Sequence, residues 1–323
     1  MPTATLPLYR IESADWHSHG RELRAVREAV FIHEFGGDAE REWDRGDARA
    51  NHLLARAGDP PEAIGTLRWL PSGQIERLAV RPQWRRRGVG AALLACAVRE
   101  LTRDRHLTPF VLASGESLGF FNHFGFTAED APIDHHGQTL QTMVLREPEA
   151  LISADLGARV LGETQGRLFL TQTEHLAQAA RQLAAQALRQ VELLSADLQP
   201  AVYDQQDFVD ALRHLAIERR GRLPVRILVI DPEPSIRRGH RLIELARVLS
   251  SDLQIRLVPK DWAEHCDQFL LCDRGGLFLT RYQDPRRTLV DFSSGAETLR
   301  LRRLFDEIWE QGEIHPGLRR LYL

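Results

Sequence analysis

The stretch Ile75–Leu101, IERLAVRPQWRRRGVGAALLACAVREL, decides how the first half of this chain is read. An apolar, strand-like run ends at Val80 and Pro82 marks a turn. From about Gly88 a helix begins, with Leu94, Ala97, Val98 and Leu101 on one face. A helix start leaves backbone N–H groups without partners and places the positive end of the peptide dipoles there, so an anion is held without any side chain. Gly88 and Gly90 have no Cβ and let a ligand approach the backbone closely. Arg85, Arg86 and Arg87 add charge-assisted contacts to phosphate. Strand, glycine-bearing turn and helix together predict a diphosphate site.

Outward from this stretch, the runs LYRIES, NHLLARA, EAIGTLRWL, QIERLAV and PFVLAS read as strands. Between them lie helical segments, one over residues 21–35 with Leu23, Val26 and Val30 on one face. This is a mixed α/β domain ending near Leu145, and the predicted boundaries are 1–147 for the domain and 148–165 for a linker. The second domain, 166–323, restarts with a helix over 173–190. The strands VELLSADL and VRILVID, the run IRLVP, QFLLC and LFLTRY follow, with helices among them and a last helix carrying Leu301, Leu304, Phe305 and Ile308. Strands alternating with helices argue for a second α/β layered structure.

Composition agrees with two domains: 323 residues with 43% hydrophobic content can build two ordinary cores. The charge is close to balanced, 42 Lys+Arg against 45 Asp+Glu, and neither half is basic, so a general nucleic-acid binder is disfavoured. No run approaches the ~20 apolar residues of a membrane span, and MPTATLPLYRIES lacks signal-peptide features. A cytoplasmic location without membrane association is expected. Cys96, Cys266 and Cys272 show no framework spacing and are expected to stay reduced.

Arg85-Arg86-Arg87-Gly88-Val89-Gly90 matches the acetyl-CoA signature Q/R-x-x-G-x-G/A, and the chain up to about residue 147 resembles the GNAT superfamily of N-acetyltransferases. LAVRPQWR is similar to the family's fourth strand and turn, and GFFNHFGF follows at the family's distance. The resemblance implies a mostly antiparallel sheet with a splayed central strand flanked by helices. It also implies acetyl-CoA as co-substrate, and an amine acceptor attacking the thioester directly in a ternary complex. Carried onto this sequence, the backbone of Leu78, Ala79 and Val80 meets the pantetheine arm, and amides from Arg86 through Val89 and Gly90 to Ala91 hold the pyrophosphate. The Val80 amide polarises the thioester carbonyl.

Strict alternation along the fourth strand makes two sets, Glu76-Leu78-Val80 and Ile75-Arg77-Ala79, each with one charge. A charge on a central strand is unusual, so Glu76 is a candidate general base, with an ion pair to an arginine as the alternative. Phe121 stands where many family members carry a tyrosine that protonates the leaving thiolate. Phenylalanine has no proton to give, so solvent or another group protonates coenzyme A, or the domain binds acyl-CoA as a regulatory module with little turnover. His123 reads as a surface residue. The segment HEFGGDAEREWDRGD, residues 33–47, is read as a solvated acidic loop, or alternatively as an acidic rim attracting a cationic amine. His52 and the pair His135-His136 lack further ligands at metal spacing, so no metal is expected.

The order of elements from about Glu174 onward resembles half of a phospholipase D-like domain. Active members need H-x-K-x4-D. Here HCDQFLLCD has Asp267 two residues after His265 and Cys272 in the aspartate place, with Asp273 one residue late, and the chain's single lysine is Lys260. A non-catalytic domain is therefore expected, serving a partner, a homodimer or the acceptor. A nucleic-acid-associated role through this half is the third alternative.

Overall fold

Ten consecutive residues from Val89 to Val98 are apolar or glycine, and a helix apolar all round must be covered on more than one side. That requirement organises the first half of the protein. A computed structural model describes residues 9–44, 46–103, 107–135, 137–146, 148–264 and 266–318, and the chain divides into two compact units between Ala158 and Arg159.

The first unit runs β1 (Arg10–Ala14), α1 (Trp16–Arg27) continued by a π-helical segment (Glu28–Glu34), α2 (Ala39–Glu42), β2 (Asn51–Ala57), β3 (Glu62–Trp69) and β4 (Gln74–Val80). Then come α3 (Val89–Arg103), β5 (Phe110–Ser114), α4 (Gly115–His123), β6 (Phe126–Ala128), β7 (Ile133–His135), β8 (Gln138–Leu145) and α5 (Ile152–Ala158). The sheet order is β1-β2-β3-β4-β5-β8-β6 with β7 beside β8, and only β4 and β5 are parallel.

One face of α3 buries Leu93 and Leu94 with Leu53, Leu67, Ile75 and Val111 of the sheet. Ala154 and Ala158 of α5 and buried Leu151 pack on the same core, and Arg99 of α3 pairs with Asp155 of α5. The expected linker is therefore structured. Residues 148–158 belong to the first unit because α3 needs a second cover, and from Arg159 on the chain belongs to the second. On the sheet's opposite face α1 packs Leu23 against Leu54, and Val26 and Val30 against Ala79. Asp15 caps α1, accepting from the amides of His17 and Ser18 at 3.0 Å each.

Strict alternation fails on β4. Its register to β3 runs Trp69↔Ile75 and Arg68↔Glu76, then Thr66↔Ala79 and Gly65↔Val80, leaving Arg77 and Leu78 opposite Leu67 alone. Arg77 has φ 55°, a left-handed conformation of the kind found at the first residue of a G1-type β-bulge. The bulge shifts the faces: Ile75, Leu78 and Val80 join the α3-side core, while Ala79 joins the α1 side and Glu76 and Arg77 pair with charged groups. The predicted sets Glu76-Leu78-Val80 and Ile75-Arg77-Ala79 are corrected accordingly, because one inserted residue flips everything after it.

The second unit contains β9 (Leu168–Leu170), α6 (Thr173–Gln186), β10 (Val191–Ser195), α7 (Pro200–Tyr203), α8 (Gln206–Glu218), β11 (Val225–Val229) and α9 (Glu233–Arg238). It ends with α10 (Arg241–Val248), β12 (Leu253–Leu257), α11 (Lys260–Ala263), β13 (Gln268–Cys272), β14 (Gly276–Thr280), β15 (Thr288–Asp291) and α12 (Gly295–Gln311). Its sheet order is β12-β11-β10-β13-β14-β15-β9, parallel across the first three strands and antiparallel thereafter. This is an α/β layered domain. Leu301, Phe305 and Ile308 of α12 pack on Phe269, Leu271, Leu277 and Leu279 of the sheet. Among the described residues, no helix is long and apolar enough to cross a membrane.

Candidate functional site

β4 and β5 pair only at Gln74↔Phe110 and Ile75↔Val111. Beyond Ile75 the two strands part, and the backbone of β4 on that side loses its neighbour. Register fixes which groups are exposed by this. The Arg81 amide donates to the Ile64 carbonyl at 2.9 Å, so the adjacent pair Gly65↔Val80 is a non-bonded one and the Val80 N–H points toward the gap. Leu78 shares this orientation by the same alternation, whereas Ala79 faces Thr66 on β3. Of the three residues expected to meet a pantetheine arm, Leu78 and Val80 turn to the gap and Ala79 does not.

The gap leads to the turn into α3. Pro82–Trp84 forms a single 3-10 turn, the Trp84 amide donating to the Arg81 carbonyl at 2.9 Å. Arg86 (φ 59°) and Gly88 (φ 82°) adopt left-handed conformations, and the Gly88 carbonyl accepts the first α3 bond, from Ala92, at 2.9 Å. Among the described residues, no close, well-aligned hydrogen bond runs from the amides of Arg86 to Ala91 to a backbone carbonyl. Successive N–H groups without a close carbonyl partner at a helix start make a nest for an anion.

The arginines of this turn do not act alike. Arg85 turns back: its Nε donates to the Val80 carbonyl at 3.0 Å and its two terminal nitrogens donate to Glu34 at 2.6 and 2.5 Å. That bidentate contact holds the Glu34 carboxyl below its ordinary range. Arg87 lies over the Trp84 ring at 5.0 Å.

The acidic segment after α1 divides in two: residues 33–40 are exposed as a solvated loop would be, with Asp38 accepting from the Glu40 amide at 2.9 Å, whereas Glu42, Asp44 and Asp47 are engaged by arginines. Buried Asp47 accepts from Arg27 and Arg68, each at 2.5 Å. Arg68, 2% exposed, also donates to Asp44 at 2.7 and 2.9 Å and to Glu76 at 2.9 Å, and Arg77 lies 3.3 Å from Glu42. Contact with Arg68 holds Asp44 down at about 2. Trp16 and Trp43 flank the Arg27 guanidinium, His52 stacks on Trp16, and the His52 ring bonds the Asp47 carbonyl at 2.8 Å. Burial holds the His52 imidazole below its usual pKa. Arg45 lies outside the described residues. Arg27, Arg68, Asp47, Trp16 and Trp43 were missed as a group, since nothing local in the sequence announces a pairing that spans 20 or more residues.

The sequence family described as an acetyltransferase (GNAT) domain matches residues 23–147. The Bacillus subtilis protein named uncharacterized N-acetyltransferase YjcF is 30% identical over 105 residues, covering 31% of this chain and 73% of that protein. The chain belongs to the GNAT family of acetyltransferases. Solved structures similar to this GNAT chain include Escherichia coli ElaA (20% identity, 43% of this chain and 99% of that one, TM-score 0.38). Another is an acyl-CoA N-acyltransferase from Pseudomonas aeruginosa (19% identity, 43% and 99%, TM-score 0.38). Residues 172–321 match a family described only as a domain of unknown function.

In this GNAT domain, Phe121 is 8% exposed and packs edge-on against Phe120 and Phe126, with centroids 5.2 and 5.6 Å away. It is the neighbouring Phe120 that approaches the cradle, beside Gly90 and Val80. His123 is exposed, and His136 and His265 lie outside the described residues. Among the described residues, no group of three or more His, Cys, Asp or Glu is placed to hold a metal ion.

Proposed function

We propose that this protein is a cytoplasmic enzyme that transfers an acetyl group from acetyl-CoA to a primary amine. The supporting observation is the junction of two features: the parting of β4 from β5 after Ile75, and the run of amides from Arg86 to Ala91, without a close carbonyl partner, in the turn that follows β4. An extended pantetheine arm would replace β5 as the hydrogen-bonding neighbour of Leu78 and Val80. The pyrophosphate would then fall on the turn.

In the ternary complex the amine nitrogen attacks the thioester carbonyl carbon, the carbon–sulfur bond breaks, and the thiolate leaves as coenzyme A. Positioning of the two reactants supplies much of the rate. The Val80 N–H, aimed into the gap, would stabilise the developing oxyanion. An alkylammonium must lose a proton first, since its ordinary pKa is about 10.4. Glu76 remains the candidate acceptor on β4. Its carboxylate is tied to Arg68, so a Glu76→Gln variant distinguishes two roles: a base changes the pH profile of turnover, whereas a purely structural ion pair changes stability with the profile intact.

Phe121 supports a second reading, an acyl-CoA-binding regulatory module with little turnover. We further propose that the second unit is a non-catalytic, phospholipase D-like half, consistent with its mixed sheet and with Asp267 and Cys272 at the two key places. It is a candidate homodimer surface. The deciding experiment is thiol release from acetyl-CoA with a panel of peptides, polyamines and amino sugars, run beside calorimetric binding of acetyl-CoA. Turnover with any amine supports the enzyme, binding without turnover supports the regulatory module, and no binding overturns both.

A further inference from the structure

Four arginines of the second unit, from separate points in the sequence, line one cleft of about 630 Å3: Arg189 before β10, Arg219 and Arg222 after α8, and Arg226 on β11. Gln190 and Trp309 are also in the lining, and no Asp or Glu is. Arg226 is already matched, reaching buried Glu192 at 3.1 Å and Asp306 at 2.8 Å. The other three differ. Among the described residues no ion pair engages Arg189, Arg219 or Arg222, and the one side-chain bond among them is Arg219 Nε to the Leu188 carbonyl at 2.7 Å.

Helix polarity accounts for Arg219, which sits at the C-terminal end of α8 where a cation is favoured. It does not account for Arg189 or Arg222, which lie outside any helix. Both are on segments pinned from behind. Asp273 accepts from the amides of Leu188, Arg189 and Gln190 at 2.8, 2.8 and 3.0 Å, and Asp252 accepts from the Gly221 amide at 2.5 Å. These carboxylates are spent on backbone amides, which fixes the two segments without neutralising the guanidinium groups.

We propose that this cleft binds a small ligand carrying two or more phosphate groups. Guanidinium groups match phosphate oxygens in bidentate fashion, and three of them on fixed segments exceed what one singly charged group would satisfy. The volume lies within the ~300–1,000 Å3 typical of small-molecule sites. Trp309 is only 4% exposed and offers no face to a stacking base, which favours a small phosphorylated ligand over a single-stranded nucleic acid.

The test is calorimetric titration of inorganic pyrophosphate into the full-length protein holding one equivalent of coenzyme A per chain, enough to fill the Arg86–Ala91 turn without flooding the cleft with a second polyphosphate. Saturable binding at one site is expected, and Arg189→Gln and Arg222→Gln should each weaken it roughly ten-fold. Neither side chain holds an ion-pair partner among the described residues, so both variants should keep the wild-type unfolding temperature and coenzyme A affinity. No saturable binding, or binding unchanged in both variants, overturns the proposal. So does loss of pyrophosphate binding on Gly88→Ala alone, which would locate the probe at the turn. An oligonucleotide that outcompetes pyrophosphate at equal phosphate concentration would also overturn it, in favour of a nucleic-acid surface.

Discussion

The two glycines of the cradle look equivalent in sequence, and the structure predicts that their alanine variants behave differently. Gly88 has φ 82°, and a Cβ built there would lie 3.1 Å from the Tyr9 hydroxyl. A left-handed conformation costs an L side chain roughly 1–2 kcal/mol. Tyr9, half-buried itself, must also shift by a few tenths of an ångström. Gly88→Ala should therefore destabilise the first unit by about 1–2 kcal/mol, lowering its unfolding temperature by a few degrees. The same strain disturbs the alignment of the Val89 and Gly90 amides. Losing one charge-assisted bond is worth roughly 1.5–3 kcal/mol, or about ten-fold or more in acetyl-CoA affinity. Gly90 lies inside α3 with ordinary backbone angles, and its added Cβ would sit 3.7 Å from Phe120 and Val80, a normal contact. Gly90→Ala should leave stability unchanged or slightly raised, through better helix propensity. Only a large residue such as leucine there would displace Phe120. Scanning calorimetry and titration of acetyl-CoA into both variants provide the comparison. Equal losses in the two, or no loss in Gly88→Ala, would refute the assignment of Gly88 as the conformationally required glycine.

Asp47→Ala should cost about 3 kcal/mol or more in chemical denaturation, because it removes a carboxylate shared by two buried guanidinium groups. Asp44, with a folded-state pKa of about 2 against an ordinary value near 3.8, contributes stability that is complete above about pH 4 and is lost as the pH falls toward 2. Solvent screens this partly exposed pair, so the effect is modest, and urea midpoints at pH 5, 4 and 3 should fall less steeply in Arg68→Met than in the wild type. Buried His52 also has a depressed pKa. Its contribution is complete above about pH 6.5 and is lost as pH falls through the folded-state value, and His52→Gln should flatten that part of the profile. Phe121→Tyr should not accelerate coenzyme A release, since the ring is enclosed by Phe120 and Phe126; a several-fold rise in thiol release would show that the position faces the thioester.

Much of the first unit was legible in the residues. NHLLARA and QIERLAV are strands β2 and β4 to the residue, and the helix expected from about Gly88 begins at Val89, because glycine, proline and apolar periodicity are local signals. The closing strands β6 to β8 were not read, as β6 and β7 have three residues each and the Gln and Thr of QTLQT blur the alternation of β8. Residues 148–158 looked like a linker for a similar reason: a short helix that exists to cover another helix has little signal of its own.

By itself the sequence placed the glycine-bearing helix start after β4, since available amides at a helix start follow from the local order of strand, turn, glycine and helix. Tertiary structure alone decided what surrounds it. The bulge at Arg77 depends on the register between β3 and β4, and it moved Leu78 to the opposite face from Glu76. The pairing of Arg27 and Arg68 with Asp47 closes over sequence separations of 20 and 21 residues, drawing part of an apparently acidic segment into a buried ion-pair network. Charge sums along a chain are additive, but which charges meet is settled only when the strands and helices that carry them pack.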